Sequence, residues 1–168
     1  MLVLPWIVTA LLVAIFFFDL ARYIIPNWSV AALLVLWPVA LLMAPTLPEG
    51  FVWWQSLIVF AVVFAVGLGI FVLGLSGGGD VKLLAVLALW TGTQSTLELI
   101  AFMALLGGLL AVACLLIRPI VAKFVAVEKA ASLPRILRYK EPVPYGIAIT
   151  LAFLYLLWNG QVAVLPVA

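Results

Sequence analysis

Two aspartates, Asp19 and Asp80, are the side chains whose type and setting point most directly to chemistry. Each stands at the edge of a long apolar run, where a carboxylate is costly to bury and, inside a membrane, functional by default. Two close carboxyls cannot both ionise easily, so they tend to share one proton. The ionised member can then take a proton from water while the other donates one, which is the division of labour that peptide hydrolysis needs. The bland alternative is that each acid caps a helix in the headgroup region. Asp80 suits that role, because a negative charge is favourable at a helix N-terminus.

Asp80 is preceded by Ser76-Gly77-Gly78-Gly79. Consecutive glycines reach backbone conformations closed to other residues and allow another backbone to approach closely. Gly77, Gly78 and Gly79 are therefore expected to admit an extended substrate strand beside the acid. Two other patterns carry less. Gly74-Leu75-Ser76-Gly77-Gly78 fits Gly-x-Ser-x-Gly, but that motif needs a strand-to-helix elbow and a histidine, and the chain has no histidine. A Ser76–Lys82 pair has no further support, and two hard carboxylates alone make a weak divalent-cation site.

The elements that must position these acids are helices in lipid. Of 168 residues, 69% are hydrophobic and 8% charged, more apolar surface than a soluble domain of this size can hide. A spanning helix takes roughly 20 apolar residues, so the expectation is an all-α, polytopic membrane bundle of about six transmembrane helices forming a single domain over residues 1–168. The spans are expected at about 2–18, 28–43, 52–75, 81–90 (or to Thr93), 97–117 and 145–158 (or to Val164). Pro38 lies inside the second, which membrane helices tolerate. No Lys or Arg precedes the first apolar run, so it reads as a retained span rather than a signal peptide. With no histidine and with Cys114 the single cysteine, Cys/His zinc sites, internal disulfides and His-dependent nucleophilic catalysis are excluded. The net charge of +2 gives no nucleic-acid surface.

The eight Lys and Arg residues fall at Arg22, at Lys82 and at six positions from Arg118 to Lys140. With six spans these three places share one side of the membrane, which positive residues mark as cytoplasmic. Both termini then face outward, and Asp19 and Asp80 both lie at the cytoplasmic face, a conclusion reached without using either acid. The seven Trp residues read as interfacial anchors, and Gly67, Gly69, Gly107 and Gly108 as points of close helix approach. Residues 118–144 form the long polar segment. Within it Ile120–Leu133 suits an amphipathic helix on the membrane surface, opened by Pro119 and closed by Pro134. Its role is structural or a contact with a partner protein.

Asp19-Leu20-Ala21-Arg22-Tyr23-Ile24-Ile25-Pro26-Asn27 resembles the first signature of the prepilin peptidases, and Gly77-Gly78-Gly79-Asp80-Val81-Lys82-Leu83 resembles the second, the Gly-x-Gly-Asp motif with its following Lys. Pro144-Tyr145-Gly146-Ile147-Ala148-Ile149 resembles the start of their last span. The chain is similar to the short form associated with Flp-type (tight-adherence) pili and related secretion systems. The resemblance implies an aspartic endopeptidase of the bacterial inner membrane, with Asp19 and Asp80 catalytic and Gly77–Gly79 and Lys82 on the substrate loop. It implies that the enzyme cleaves the leader from type IV prepilins at the cytoplasmic face. Separately from the resemblance, no cofactor or metal is expected. The enzyme's expected partners are prepilin substrates, membrane lipid and pilus-assembly proteins. Longer members also methylate the new N-terminus and carry an insert with two Cys-x-x-Cys pairs; here the connection between the first two spans is short, so methylation is not expected. Two other readings compete: a non-catalytic scaffold of a pilus or secretion machine, and a small proton-coupled transporter. The transporter reading calls for an acid near mid-membrane and for repeated halves, whereas both acids stand at span ends.

Overall fold

The structure is a computed structural model that describes residues 3–44, 47, 50–124, 134–138, 141–162 and 164–165. The described residues form five α-helices, α1 (Val3–Arg22), α2 (Asn27–Met43), α3 (Trp53–Val72), α4 (Gly78–Phe124) and α5 (Tyr145–Trp158), and a 3₁₀ turn at Arg135–Leu137. No strand occurs among the described residues. By length and apolar composition α1, α3 and α4 can each cross a membrane, and α2 and α5 are shorter apolar helices.

The 47 residues of α4 would reach about 70 Å if straight, more than twice a hydrocarbon core of about 30 Å. They are not straight. Gly92 has φ 59° and ψ −159°, a backbone region essentially reserved for glycine. The Thr96 hydroxyl donates to the Ala88 carbonyl at 3.3 Å, although eight residues of straight helix separate their positions by about 12 Å. Helix α4 is therefore a hairpin of two arms folded at Gly92. The expected polar connection at 94–96, between helices at 81–90 and 97–117, is corrected here: the break between the two arms lies at Gly92. Gln94–Thr96 are helical, because Gly92 alone supplies the reversal. Thr91 and Thr96 share a 2.8 Å hydrogen bond, which occupies hydroxyls buried at the bend.

The first arm of α4 is the centre of the molecule. Leu83, Leu87, Leu89 and Trp90 are almost fully buried, as befits a helix apolar on all sides. The same core includes Leu12 and Ile15 of α1, Leu33 of α2 and Ile149, Phe153 and Leu156 of α5, with α2 and α5 packed on α4 and α1 packed on α2 and α5. The Trp90 indole donates to the Leu33 carbonyl at 3.1 Å, so the largest core side chain leaves no polar atom orphaned. The outer surface is apolar too. In α3 only Ser56 is buried, and Val62, Val66, Phe71 and Val72 are exposed, a surface that fits lipid and not water.

Helix α1 runs from Val3 to Arg22, four residues past the expected bound at Phe18, so Asp19 lies within its last turn, at the end of the helix. Pro119 sits inside α4, which continues to Phe124, and so does not open a separate surface helix. The rest of the expected helix, residues 125–133, lies outside the described residues. Helix α5 runs from Tyr145 to Trp158, the shorter of the two expected extents, and does not reach Val164.

Candidate active site

Asp19 points inward because of its place on α1. The buried residues of that helix are Leu4, Pro5, Val8, Leu12, Ile15 and Asp19. Apart from Pro5 they recur at intervals of three and four, the spacing of one helix face. An acid thus continues the apolar stripe, and only 4% of its surface is exposed. Its partner is the start of α5: the Ile147 N–H donates to Asp19 Oδ2 at 3.1 Å, and the Gly146 N–H also faces the carboxylate. Helix α5 follows Pro144, which offers no side-chain cap. Asp19 supplies that cap from across the bundle, satisfying donors that a helix N-terminus leaves free.

Gly146 makes this contact possible. A Cβ at this position would lie 2.7 Å from Asp19 Oδ2 and 2.9 Å from its Cγ. Asp80 stands in the first turn of α4, and its carboxylate accepts the Gly77 N–H. This is the acid half of a capping box, in which the third helical residue reaches back to the cap. The Val81 N–H closes the turn on the Gly77 carbonyl at 3.2 Å. Ile25 wedges between the two acids' supports, since a Cβ on Gly79 would lie 3.2 Å from its Cβ and one on Gly146 3.0 Å from its Cδ1.

The two carboxyls are close enough for the charge of Asp19 to act on Asp80. Both open onto one cleft of about 450 Å³, whose wall also includes Gly77, Gly78, Gly79 and Tyr145. A smaller chamber of about 190 Å³ shares Asp80, Ser76 and Tyr145 with the cleft and extends between apolar walls that include Val63, Leu84 and Met103. Of the residues singled out from sequence, the structure brings together Asp19, Asp80 and the three glycines. Lys82 is not on the cleft wall; its ammonium donates to Asn27 Oδ1 at 3.3 Å and ties the start of α4 to the start of α2. No group of three or more His, Cys, Asp or Glu side chains able to hold a metal occurs among the described residues.

Basic side chains gather at the same end. Arg118, at the far end of the second arm of α4, is buried. It donates to the carbonyls of Ile136 at 2.9 Å, Pro142 at 2.9 Å and Glu141. Arg135 donates to the Arg22 carbonyl at 2.8 Å and pairs with Glu141 at 3.1 Å, and its guanidinium lies 4.8 Å over the Tyr23 ring. Tyr23 ends α1 with a positive φ of 59°, a conformation that costs a non-glycine residue roughly 1–2 kcal/mol. Burial pushes the Tyr23 phenol up from its ordinary pKa, against the opposing pull of the Arg118 charge, so it stays protonated around neutral pH.

Sequence reasoning missed Gly146, Ile147 and Arg118 as parts of this site. For Gly146 a signal existed: a glycine in the first turn of an apolar helix is unfavourable unless something must come close. For Arg118 the signal was weaker, one arginine among several in a polar segment.

No curated protein and no solved structure matches the chain. The model of the type IV leader peptidase family matches residues 6–112, a stretch that contains both aspartates, the glycine loop and the hairpin at Gly92. That match covers more than half of the sequence, and the chain belongs to the type IV leader peptidase family.

Proposed function

We propose that this protein is a multi-pass aspartic endopeptidase of the bacterial inner membrane that removes the leader from type IV or Flp-type prepilins at the cytoplasmic face. The observation that carries the reading is the convergence of Asp19 and Asp80 on one cleft floored by Gly77–Gly79. Two carboxyls from distant helices have no reason to be brought into mutual electrostatic range in a lipid-embedded bundle unless the pair is used. The two arms of α4, counted separately, make six crossings, with the Asp19–Asp80 end inside and both termini outside. The gathering of Arg22, Lys82, Arg118 and Arg135 around that end supports this orientation.

The chemistry follows from the environments of the two acids. Asp19 receives two N–H groups from the start of α5, which favour its ionised form over that of Asp80, with one such donor. Asp19 is then the base and Asp80 carries the shared proton. Asp19 removes a proton from a water held between the acids, and the water oxygen attacks the scissile carbonyl carbon. Asp80 donates its proton to the carbonyl oxygen, giving a neutral tetrahedral diol. Collapse breaks the C–N bond; the leaving nitrogen takes a proton from Asp19 and a hydroxyl proton of the diol returns to Asp80. The glycine loop lets the substrate backbone lie against Asp80, and the apolar chamber beyond it accommodates an apolar side chain of the substrate. The product keeps a free, unmethylated N-terminus.

The reading is tested by co-expressing the protein with Flp-type prepilins and scoring leader removal. Appearance of the shortened pilin only when the protein is present is the expected result. Unchanged precursor across Flp-type and type IV prepilins, with the protein inserted in the membrane, refutes it.

A further inference from the structure

We propose that Arg118 is a positioning residue for the cleavage reaction: by gripping the backbone that leads into α5, it seats the N–H groups that hold Asp19. The inference rests on the dyad reading and concerns residues beyond the part of the chain that the family model covers. Arg118 is almost wholly buried, and its guanidinium donates to the backbone carbonyls of Ile136, Glu141 and Pro142 and also faces the Tyr23 phenol. Two of these carbonyls lie within a few residues of Tyr145, where α5 begins. A planar guanidinium can serve three acceptors in fixed directions at once, which a lysine ammonium cannot do with the same rigidity.

What this grip controls is the approach of α5 to α1. The chain before α5 has no helix of its own from Glu141 to Pro144, so its course is set by what holds it. Arg118 holds it from α4. Arg135 holds it from the other side, through Glu141, the Arg22 carbonyl and the Tyr23 ring, just past Asp19. The first turn of α5 is thereby pressed against the Asp19 carboxylate, closely enough that a Cβ at position 146 would lie 2.7 Å from Asp19 Oδ2. Loss of the Arg118 grip lets this turn drift, weakening the Ile147 bond to Asp19 without touching either acid.

The test uses the full-length protein in lipid nanodiscs with an Flp-type prepilin as substrate, comparing wild type, Arg118→Gln, Arg118→Lys, Ile147→Pro and the double variant Arg118→Gln/Ile147→Pro. Proline in the first turn of a helix removes the N–H with little harm to the helix. Arg118→Gln is expected to lower kcat by about 10²-fold, the usual consequence of misplacing a catalytic group by around 1 Å, with KM changed by less than about 3-fold. Arg118→Lys, which keeps the charge and the apolar stem, is expected to lose about 10-fold and carries the test if the glutamine variant fails to insert.

The pH–rate profile separates positioning from mere loss of folded protein. With fewer donors on Asp19 the acid limb moves to higher pH, whereas a smaller active fraction scales the curve without moving it. Ile147→Pro is expected to move the limb the same way, and the double variant to lose clearly less than the product of the two single losses, since both changes act on the same N–H groups that hold Asp19. Wild-type rates in both Arg118 variants, an unmoved acid limb, or additive losses in the double variant overturn the proposal. Failure of the wild-type protein to cleave at all overturns the peptidase reading instead.

Discussion

Replacing Gly146 by alanine sets two effects of one methyl group against each other. In a helix, Gly→Ala is normally stabilising by about 0.5–1 kcal/mol, because glycine loses more backbone entropy on folding. Here the added Cβ would meet Asp19 Oδ2 at 2.7 Å and Ile25 Cδ1 at 3.0 Å, well inside the ~3.5 Å or more of ordinary contact. Asp19 or the start of α5 must yield by a large fraction of an ångström, and the Ile147 N–H bond to Asp19 stretches with it. A displacement of that order at a catalytic group costs roughly 10–10²-fold in rate. The entropic gain offsets part of the roughly 1–3 kcal/mol that such overpacking costs, so the expected result is a protein that still inserts and folds, with only a modest change in its midpoint of thermal unfolding, yet is impaired in leader cleavage by that factor. The assay is the initial rate of prepilin processing, followed by mass spectrometry at matched enzyme amounts. Gly108→Ala is the control: it is also helical and its Cβ would meet nothing within 4 Å, so activity should stay within about 2-fold of wild type. Cleavage by Gly146→Ala at the control rate would refute the idea that the first turn of α5 holds Asp19 in place.

Three further outcomes are expected. Gly92→Ala forces a side chain into a glycine-only backbone conformation and to 2.9 Å from Ser56 Oγ; it should destabilise the protein by about 1–3 kcal/mol, read as a lower midpoint of thermal unfolding, and an unchanged midpoint would contradict the hairpin. A pilin processed by this protein alone should have the intact mass of an unmodified N-terminus; a methyl group added in the presence of S-adenosylmethionine would contradict the absence of methylation. In a Cys114→Ala background, Leu137→Cys should be shielded from an impermeant thiol reagent in intact cells and Asn159→Cys labelled by it; the reverse pattern would invert the orientation.

Much of this was legible in the sequence because the strongest signals were compositional and local. The density of apolar residues left only helices in lipid, and Pro26-Asn27 and Gly77–Gly79 marked helix ends that the structure places within a residue or two. The convergence of Asp19 and Asp80 on one end could be read from Lys and Arg placement, since the preference of cations for one face of a membrane is global. The hairpin in α4 was harder. Gln94–Thr96 look like a polar connection, but polar residues stay helical when their hydroxyls find carbonyls, as Thr96 does. The reversal belongs to Gly92, and its backbone angles are invisible in a sequence rich in glycines that serve packing. Hidden for a similar reason was the docking of α5 on Asp19, a contact between residues 128 apart that no periodicity reports. The inward stripe of α1 ending in Asp19 was available to inspection, and it would have placed that acid inside the bundle at once.

The central claim is that Asp19 and Asp80 act together as the catalytic pair, and it is tested most directly by cleavage of a prepilin by Asp19→Asn and Asp80→Asn at equal membrane abundance. Asparagine nearly matches aspartate in volume but can serve neither as the base nor as the acid. General acid–base steps contribute roughly 10²–10⁴-fold each, so each single variant should fall to background, and the double variant should be no worse than either one, as for groups that work as a unit. Leader removal at a near wild-type rate by either single variant would contradict the account.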